Sequence, residues 1–349
     1  MRFLKKSGSS RNTEPVKKKS TFGIPRGIRS FVEAIVIVLI LRWLVVEAHA
    51  VPTGSMVPTI VPMEYLLAEK ISYRFYDPKP GDVVVFKYPV DGKTDYVKRC
   101  VASGGQTVEV RDRILYIDDI AVLDSHAHFS NTMEPVPFLF DIPHEEWQKA
   151  WEERGYNSAN ALVGYVTHRI SDNPRQILKY YAYYTAKEAM KEGLPVEPDT
   201  LIALIESIPV LGKTWDEAAR YSLMAALKQL LGEDYDSDIH GPIIQRGIDK
   251  TPAMSIGYAI ADNFPKVTVP EGMIMCMGDN RCESFDSRYW GPVSVDAVKG
   301  RPVMLYYSLE NEPPDPNNPP GMIDNILVLV GSIFRPQDIR FNRFFRLLF

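Results

Sequence analysis

Ser55 occupies the run Val51-Pro52-Thr53-Gly54-Ser55-Met56-Val57-Pro58-Thr59, a hydroxyl among small residues between two prolines. Pro52 and Pro58 bias the residues before them towards extended backbone, and Gly54 lets another chain segment approach closely. The expected result is a serine held exposed on a fixed ledge. A serine hydroxyl becomes a nucleophile only beside a base, and histidine is the usual one. The histidines His49, His126, His128, His144, His168 and His240 lie beside the N-terminal apolar run or in the middle of the chain, none in a β-like segment suited to catalysis. Lys98 does lie in such a segment, Tyr96-Val97-Lys98-Arg99-Cys100-Val101. Only about one ordinary lysine in several hundred is neutral at pH 8, so Lys98 serves as a base only if burial lowers its pKa by several units. A lone serine or lysine in a β-rich chain is ordinarily structural, and these two residues alone do not establish a site.

A third block changes that weight. Gly278-Asp279-Asn280-Arg281-Cys282-Glu283-Ser284-Phe285-Asp286-Ser287-Arg288-Tyr289-Trp290-Gly291 is rich in turn residues and paired opposite charges. Taken with Pro52–Thr59, with GDVVVFKYP from Gly81 and with YVKR from Tyr96, it closely resembles type I signal peptidase. That family consists of membrane-anchored Ser–Lys proteases that remove signal peptides from exported proteins. The four blocks come in the family's order, over residues 31–123 and 264–349; GDVVVF alone would carry little weight.

The resemblance implies Ser55 as nucleophile and Lys98 as neutral general base. It implies the Ser55 N–H and the Thr53 hydroxyl as oxyanion donors, of a kind worth roughly 10²–10³ in rate each. Ser284 would orient the Lys98 amine, and Asp279, Arg99, Asp286 and Arg288 would form supporting ion pairs. As plain surface pairs these would be worth about 0–1 kcal/mol. No cofactor or metal is implied, and the chain has no CxxC pair or HExxH. Substrates would be preproteins with small residues at −1 and −3, added as an extended strand. Two segments depart from the family pattern: Lys98–Gln106 reads KRCVASGGQ in place of K-R-x-x-G-x-P-G-D, and Cys282-Glu283 replaces the usual Asp-Asn. Both touch supporting geometry and spare nucleophile, base and oxyanion donors.

The elements that must position these residues differ along the chain. Residues 1–30 carry nine Lys/Arg against Glu14 alone and read as a basic cytoplasmic tail. The net charge of −4 therefore leaves the remainder distinctly acidic, which argues against a nucleic-acid partner. The apolar run FVEAIVIVLILRWLVV, Phe31 to Val46, is read as a transmembrane helix over 31–48. By the positive-inside rule the tail stays in the cytoplasm and the rest lies outside a bacterial plasma (inner) membrane. A buried core helix is the alternative. So is a cleaved signal peptide ending at Ala48-His49-Ala50, which Arg42 and Glu47 oppose.

Residues 49–123 contain short β-rich runs between turn signals, the first part of an antiparallel catalytic β-domain. Helical spacing in 144–156, 174–192, 198–208 and 214–232 predicts an inserted α-helical subdomain over 124–263, with a partner of its own. β signals return in 264–349. The fold expected is thus mainly β, signal-peptidase-like, with one N-terminal transmembrane helix and a helical insert; its partners would be signal peptides and the lipid bilayer. Two other readings stand beside it: a Ser–Lys autoprotease of the SOS-repressor kind, which would need a DNA-binding helix-turn-helix where the apolar run lies, and a non-catalytic membrane-anchored scaffold.

Three cysteines are too few for a disulfide framework. Cys100 should share a strand face with Lys98 and help desolvate it, while Cys276 and Cys282 are expected as free thiols. The tail 339–349 is compatible with an amphipathic interfacial helix through Arg340, Arg343 and Arg346, or with a closing strand.

Overall fold

The computed structural model describes residues 26–130, 134–154, 161–172, 175–210, 215–250, 255–310, 327–328, 330–332 and 334–348. The basic tail before residue 26 and the Pro/Asn-rich stretch 311–326 lie outside them. Two compact units divide the chain at Leu44/Val45. The first contains α1 (Arg26–Leu44), whose exposed Arg29 and Glu33 pair at 2.8 Å one turn apart. Arg26, Arg29, Glu33 and Arg42 all fall within it, and among the described residues no helix is long and apolar enough to cross a membrane. The helix also ends earlier than the expected 31–48, because residues from Val46 onward extend and pair as a strand.

The second unit is built on two antiparallel sheets. The larger combines β1 (Val46–Val51), β2 (Glu64–Glu69), β3 (Val83–Lys87) and β4 (Asp95–Ser103) with later strands. The smaller contains β5 (Thr107–Arg111), β6 (Ile114–Ile117) and β7 (Ile120–Ala121). Helices follow as α2 (His144–Arg154), α3 (Ala161–Asp172), α4 (Arg175–Lys191), α5 (Pro198–Ser207), α6 (Trp215–Leu231), α7 (Ser237–Lys250) and α8 (Ser255–Asp262). The chain then returns through β8 (Val267–Thr268), β9 (Met273–Met277), the short α9 (Ser287–Trp290), β10 (Val293–Ser294), β11 (Val298–Ser308) and β12 (Arg346–Leu347). Strand order is β1-β2-β11-β3-β4-β9-β10 with β12 on β11, and β7-β6-β5-β8 in the small sheet.

Strand β3 explains the larger sheet. Val83, Val84, Val85 and Phe86 are all buried, so a strand covered on both faces reads as a continuous apolar run. Its period of two sorts them. Val83 and Val85 join Met56, Ile60 and Leu66 beneath the Ser55 turn, whereas Val84 and Phe86 join Cys100, Cys276 and Trp290.

The residues read as one helical insert divide their burial between two cores. Trp147 and Trp151 of α2, Leu162 and Val166 of α3 and Ile260 of α8 cover the small sheet through Val108, Val110, Leu115 and Val267. Helices α4 to α7 form a core of their own, where Ala182, Ala186 and Ala189 meet Ile205, Leu223, Leu227 and Ile244. Gly247 of α7 lies so close to α4 that a Cβ there would stand 2.6 Å from the Thr185 Cα.

Among the described residues the tail forms no α-helix. Short 3₁₀ turns at Pro336–Asp338 and Phe341–Arg343 lead into β12, paired with Met304 and Leu305. Arg343 turns inward to the buried Glu64, and Arg340 to the carbonyls of Pro62 and Leu309.

Candidate active site

Ser55 lies in the turn between β1 and β2. Met56 and Ile60, both fully buried, nail the turn to the core below, and it closes through Val57 N–H to Gly54 O and Ile60 N–H to Met56 O. Apolar residues at these two positions leave Ser55 on the opposite side, where it is buried instead of exposed as expected. Lys98 projects from the middle of β4, opposite Val84 on β3. Its Nζ donates to Ser55 Oγ at 2.5 Å, joining residues 43 apart in sequence. No hydrogen bond joins a histidine to Ser55 among the described residues.

The Lys98 side chain is almost fully buried, and burial lowers its pKa from the usual 10.5 to about 8. Asp286, Cys276 and Asp279 pull the value back up, while Arg288 pushes it further down. Desolvation wins because the two acids are already committed to arginines. The Arg99 Nε and Nη2 hold Asp279 bidentately at 2.8 and 2.7 Å. The Arg288 Nε and Nη2 likewise hold Asp286 at 2.9 and 2.8 Å. Burial alone would raise the Asp286 carboxyl, yet Arg288 beside it keeps it below the ordinary carboxylate range. The pair is wholly buried, so removing one partner would strand a charge, at a cost of about 3–5 kcal/mol.

Thr53 is exposed, its Oγ1 3.5 Å from Ser55 Oγ. Ser284 sits elsewhere than expected: it accepts from the Gly278 N–H at 3.1 Å and donates to Asp286, with no hydrogen bond to Lys98. It therefore reaches Lys98 only through the loop and Asp286. Cys100 and Cys276, both buried, face each other across β4 and β9 in the apolar cluster behind Lys98, and neither they nor Cys282 form a disulfide among the described residues. Burial pushes the Cys100 thiol up to about 12, so it stays a neutral apolar filler.

Three residues of the loop act in ways their sequence positions did not assign. Asn280 donates its backbone N–H to Ser55 O and its side-chain amide to Gly54 O. Arg281 is buried, donating to Gly278 O at 3.0 Å and pairing with Asp124. Gly278 lies against the serine: a Cβ there would stand 2.3 Å from both Ser55 O and Ser284 Oγ. The only signal for them in the chain was their place beside Asp279.

The pair opens into a cavity of about 270 Å³ whose walls include Ala50 to Thr53 on one side and Thr94 to Lys98 on the other, with Phe285. Strands β1 and β4 are not sheet neighbours, so the larger sheet curls to bring them together. Charged side chains hold that curl. Lys299 of β11 bridges Glu47 of β1 at 2.7 Å and Asp95 of β4 at 2.9 Å, beside the half-buried His49. Ala50 is paired with Tyr65 inside β1, so a cut after it would sever a hydrogen-bonded strand.

A buried hydroxyl–amine pair at the floor of a cleft is equipped for acyl transfer. The chain is 24% identical over 327 residues to signal peptidase I of Aquifex aeolicus, covering 88% of this chain and 94% of that protein. It is 26% identical over 315 residues to signal peptidase I of Buchnera aphidicola, covering 85% and 81%. A solved signal peptidase I from Enterococcus faecalis aligns at 17% identity over 65% of this chain and 97% of that one, with a TM-score of 0.23. The family described as signal peptidase, peptidase S26, matches residues 25–161 and 233–307, leaving unmatched the stretch that holds α4, α5, α6 and all of α3 after its first residue. That match takes in both strands and both loops that meet at the cleft, over more than half of the residues, and the chain belongs to the signal peptidase family of serine peptidases, peptidase S26.

Proposed function

We propose that this peptidase cleaves N-terminal signal peptides from exported preproteins with Ser55 as nucleophile and Lys98 as general base. The observation that carries the proposal is the 2.5 Å contact between Ser55 Oγ and an amine whose pKa burial brings to about 8. In its neutral form Lys98 takes the hydroxyl proton as Oγ attacks the scissile carbonyl carbon. The Ser55 N–H and the Thr53 hydroxyl donate to the oxyanion. Protonated Lys98 then gives its proton to the departing amine, leaving an acyl-enzyme. Water, deprotonated by Lys98, attacks the ester, and Ser55 recovers its proton as the signal peptide leaves.

The cleft between Ala50–Thr53 and Thr94–Lys98 suits an extended substrate strand, with shallow walls that take small residues at −1 and −3. Ser284, through Asp286, and Arg99, through Asp279, serve as positioning residues. The basic tail ahead of the apolar run Phe31–Val46 supports a single-pass anchor with the tail in the cytoplasm and the catalytic unit on the outer side of a bacterial plasma membrane.

The test is incubation of the detergent-solubilised full chain with a preprotein. Wild type should release the signal peptide, and Ser55→Ala and Lys98→Ala should each lose processing, since a nucleophile and its base act as a unit. Substantial cleavage by either folded variant refutes the dyad.

A further inference from the structure

A second cavity, of about 250 Å³, lies where β4, β11 and β12 converge with the Ser55 turn, and its chemistry is unlike that of the cleft. It is lined by Arg99, Arg301, Arg346, His126 and Thr59, with Asp82 the only carboxylate among the described residues that line it. Arg99 points away from the dyad, because neighbouring residues of a strand take opposite faces. Its ion pair with Asp279 and its bond to Gly81 O leave N–H groups to spare on a five-donor guanidinium.

The other cations are less satisfied. Arg301 approaches Asp82 only to 3.7 Å, beyond hydrogen-bond reach, and that carboxylate already accepts from the Lys79 N–H at 3.0 Å. The Arg346 side chain makes neither ion pair nor hydrogen bond among the described residues, and pairing of β12 with β11 holds its backbone at the cavity. The ring nitrogens of His126 are likewise without a partner among the described residues. Convergent guanidinium forks around one concavity, opposed by one acid already engaged, form a site for a tetrahedral oxyanion.

We infer that this cavity binds a phosphate group through Arg301 and Arg346, with Arg99 at its floor. Phosphate is available from two sources, a free anion and a lipid headgroup, and the exposed Phe345 and Leu347 beside Arg346 are compatible with either. The inference concerns binding and is independent of the proteolytic reading.

It is tested by thermal unfolding of the full chain in micelles of an uncharged detergent, followed by circular dichroism, with chloride at matched ionic strength as the control. One arm adds inorganic phosphate, the other phosphatidylglycerol in the micelle. At least one should raise the melting temperature, as a ligand of the folded state must. Phosphate acting alone assigns a soluble anion, and phosphatidylglycerol acting alone assigns a headgroup. Arg346→Gln, at an exposed position, should keep the unliganded melting temperature and weaken the apparent affinity about tenfold. Arg301→Gln combined with Arg346→Gln should remove the shift, and Arg346→Lys should restore part of it. No shift in either arm, or a shift undiminished in Arg346→Gln, overturns the site.

Discussion

Asn280 donates its backbone N–H to the carbonyl oxygen of Ser55 at 3.0 Å, so the loop that carries Asp279 and Asp286 also grips the turn that carries Ser55. Its side-chain amide adds a bond to Gly54 O at 3.2 Å and another to Glu283. Asn280→Ala keeps the backbone bond and loses the other two, each worth about 1 kcal/mol. The expected outcome is a folded enzyme with kcat lowered roughly tenfold and KM little changed. Steady-state kinetics on a preprotein checks it, and an unchanged kcat would reduce Asn280 to a packing residue.

Processing should rise with pH. Lys98 acts as a base only when neutral, and its pKa of about 8 places the rise of kcat/KM around that value rather than near 10.5. At pH 6 about one molecule in a hundred holds a neutral amine. A rate profile flat from pH 6 to 9 would remove Lys98 from the role of base.

The same burial has a cost in stability. The folded-state pKa of Lys98 is depressed, so both states hold the proton below about pH 8, and the unfolded chain alone holds it between about 8 and 10.5. Stability from this group is therefore gained as pH rises through that window. At pH 7 the charged amine costs about 3 kcal/mol relative to its neutral form. Lys98→Met should then be inactive yet melt at or above the wild-type temperature at pH 7, with the advantage shrinking towards pH 10. A large drop in melting temperature at pH 7 would mean that the acids around the amine outweigh its desolvation.

Thr53 offers a discriminating substitution. Its Oγ1 lies 3.5 Å from Ser55 Oγ, and in the proposed mechanism it donates to the oxyanion. Thr53→Ser should remain active, whereas Thr53→Val, nearly isosteric but without the donor, should lose roughly 2–4 kcal/mol of transition-state stabilisation. The loss should fall on kcat more than on KM. Near-wild-type kcat in Thr53→Val would show that other donors suffice.

The amino-acid sequence by itself determined the local elements and the residue types of the site. The runs at Val83–Lys87, Asp95–Ser103 and Met273–Met277 are strands because their apolar content and flanking turn residues act over a few positions. Four helical runs lie within a few residues of α2, α4, α5 and α6 for the same reason. The serine between two prolines, the lysine in an apolar strand and the Gly-Asp-Asn-Arg loop were legible because each is contiguous. What tertiary structure decided depends on contacts between distant segments. Only folding brings Lys98 to Ser55, Asn280 to Gly54 across 226 residues, and Lys299 between Glu47 and Asp95. It directs Ser284 to Gly278 and Asp286, and it draws Val46–Val51 into β1, a stretch whose hydrophobicity resembles the end of an anchor. It also sets α2, α3 and α8 on the small sheet and gives α4 to α7 a separate core. An apolar helix face specifies that it will be covered, and only the packed structure settles which surface covers it.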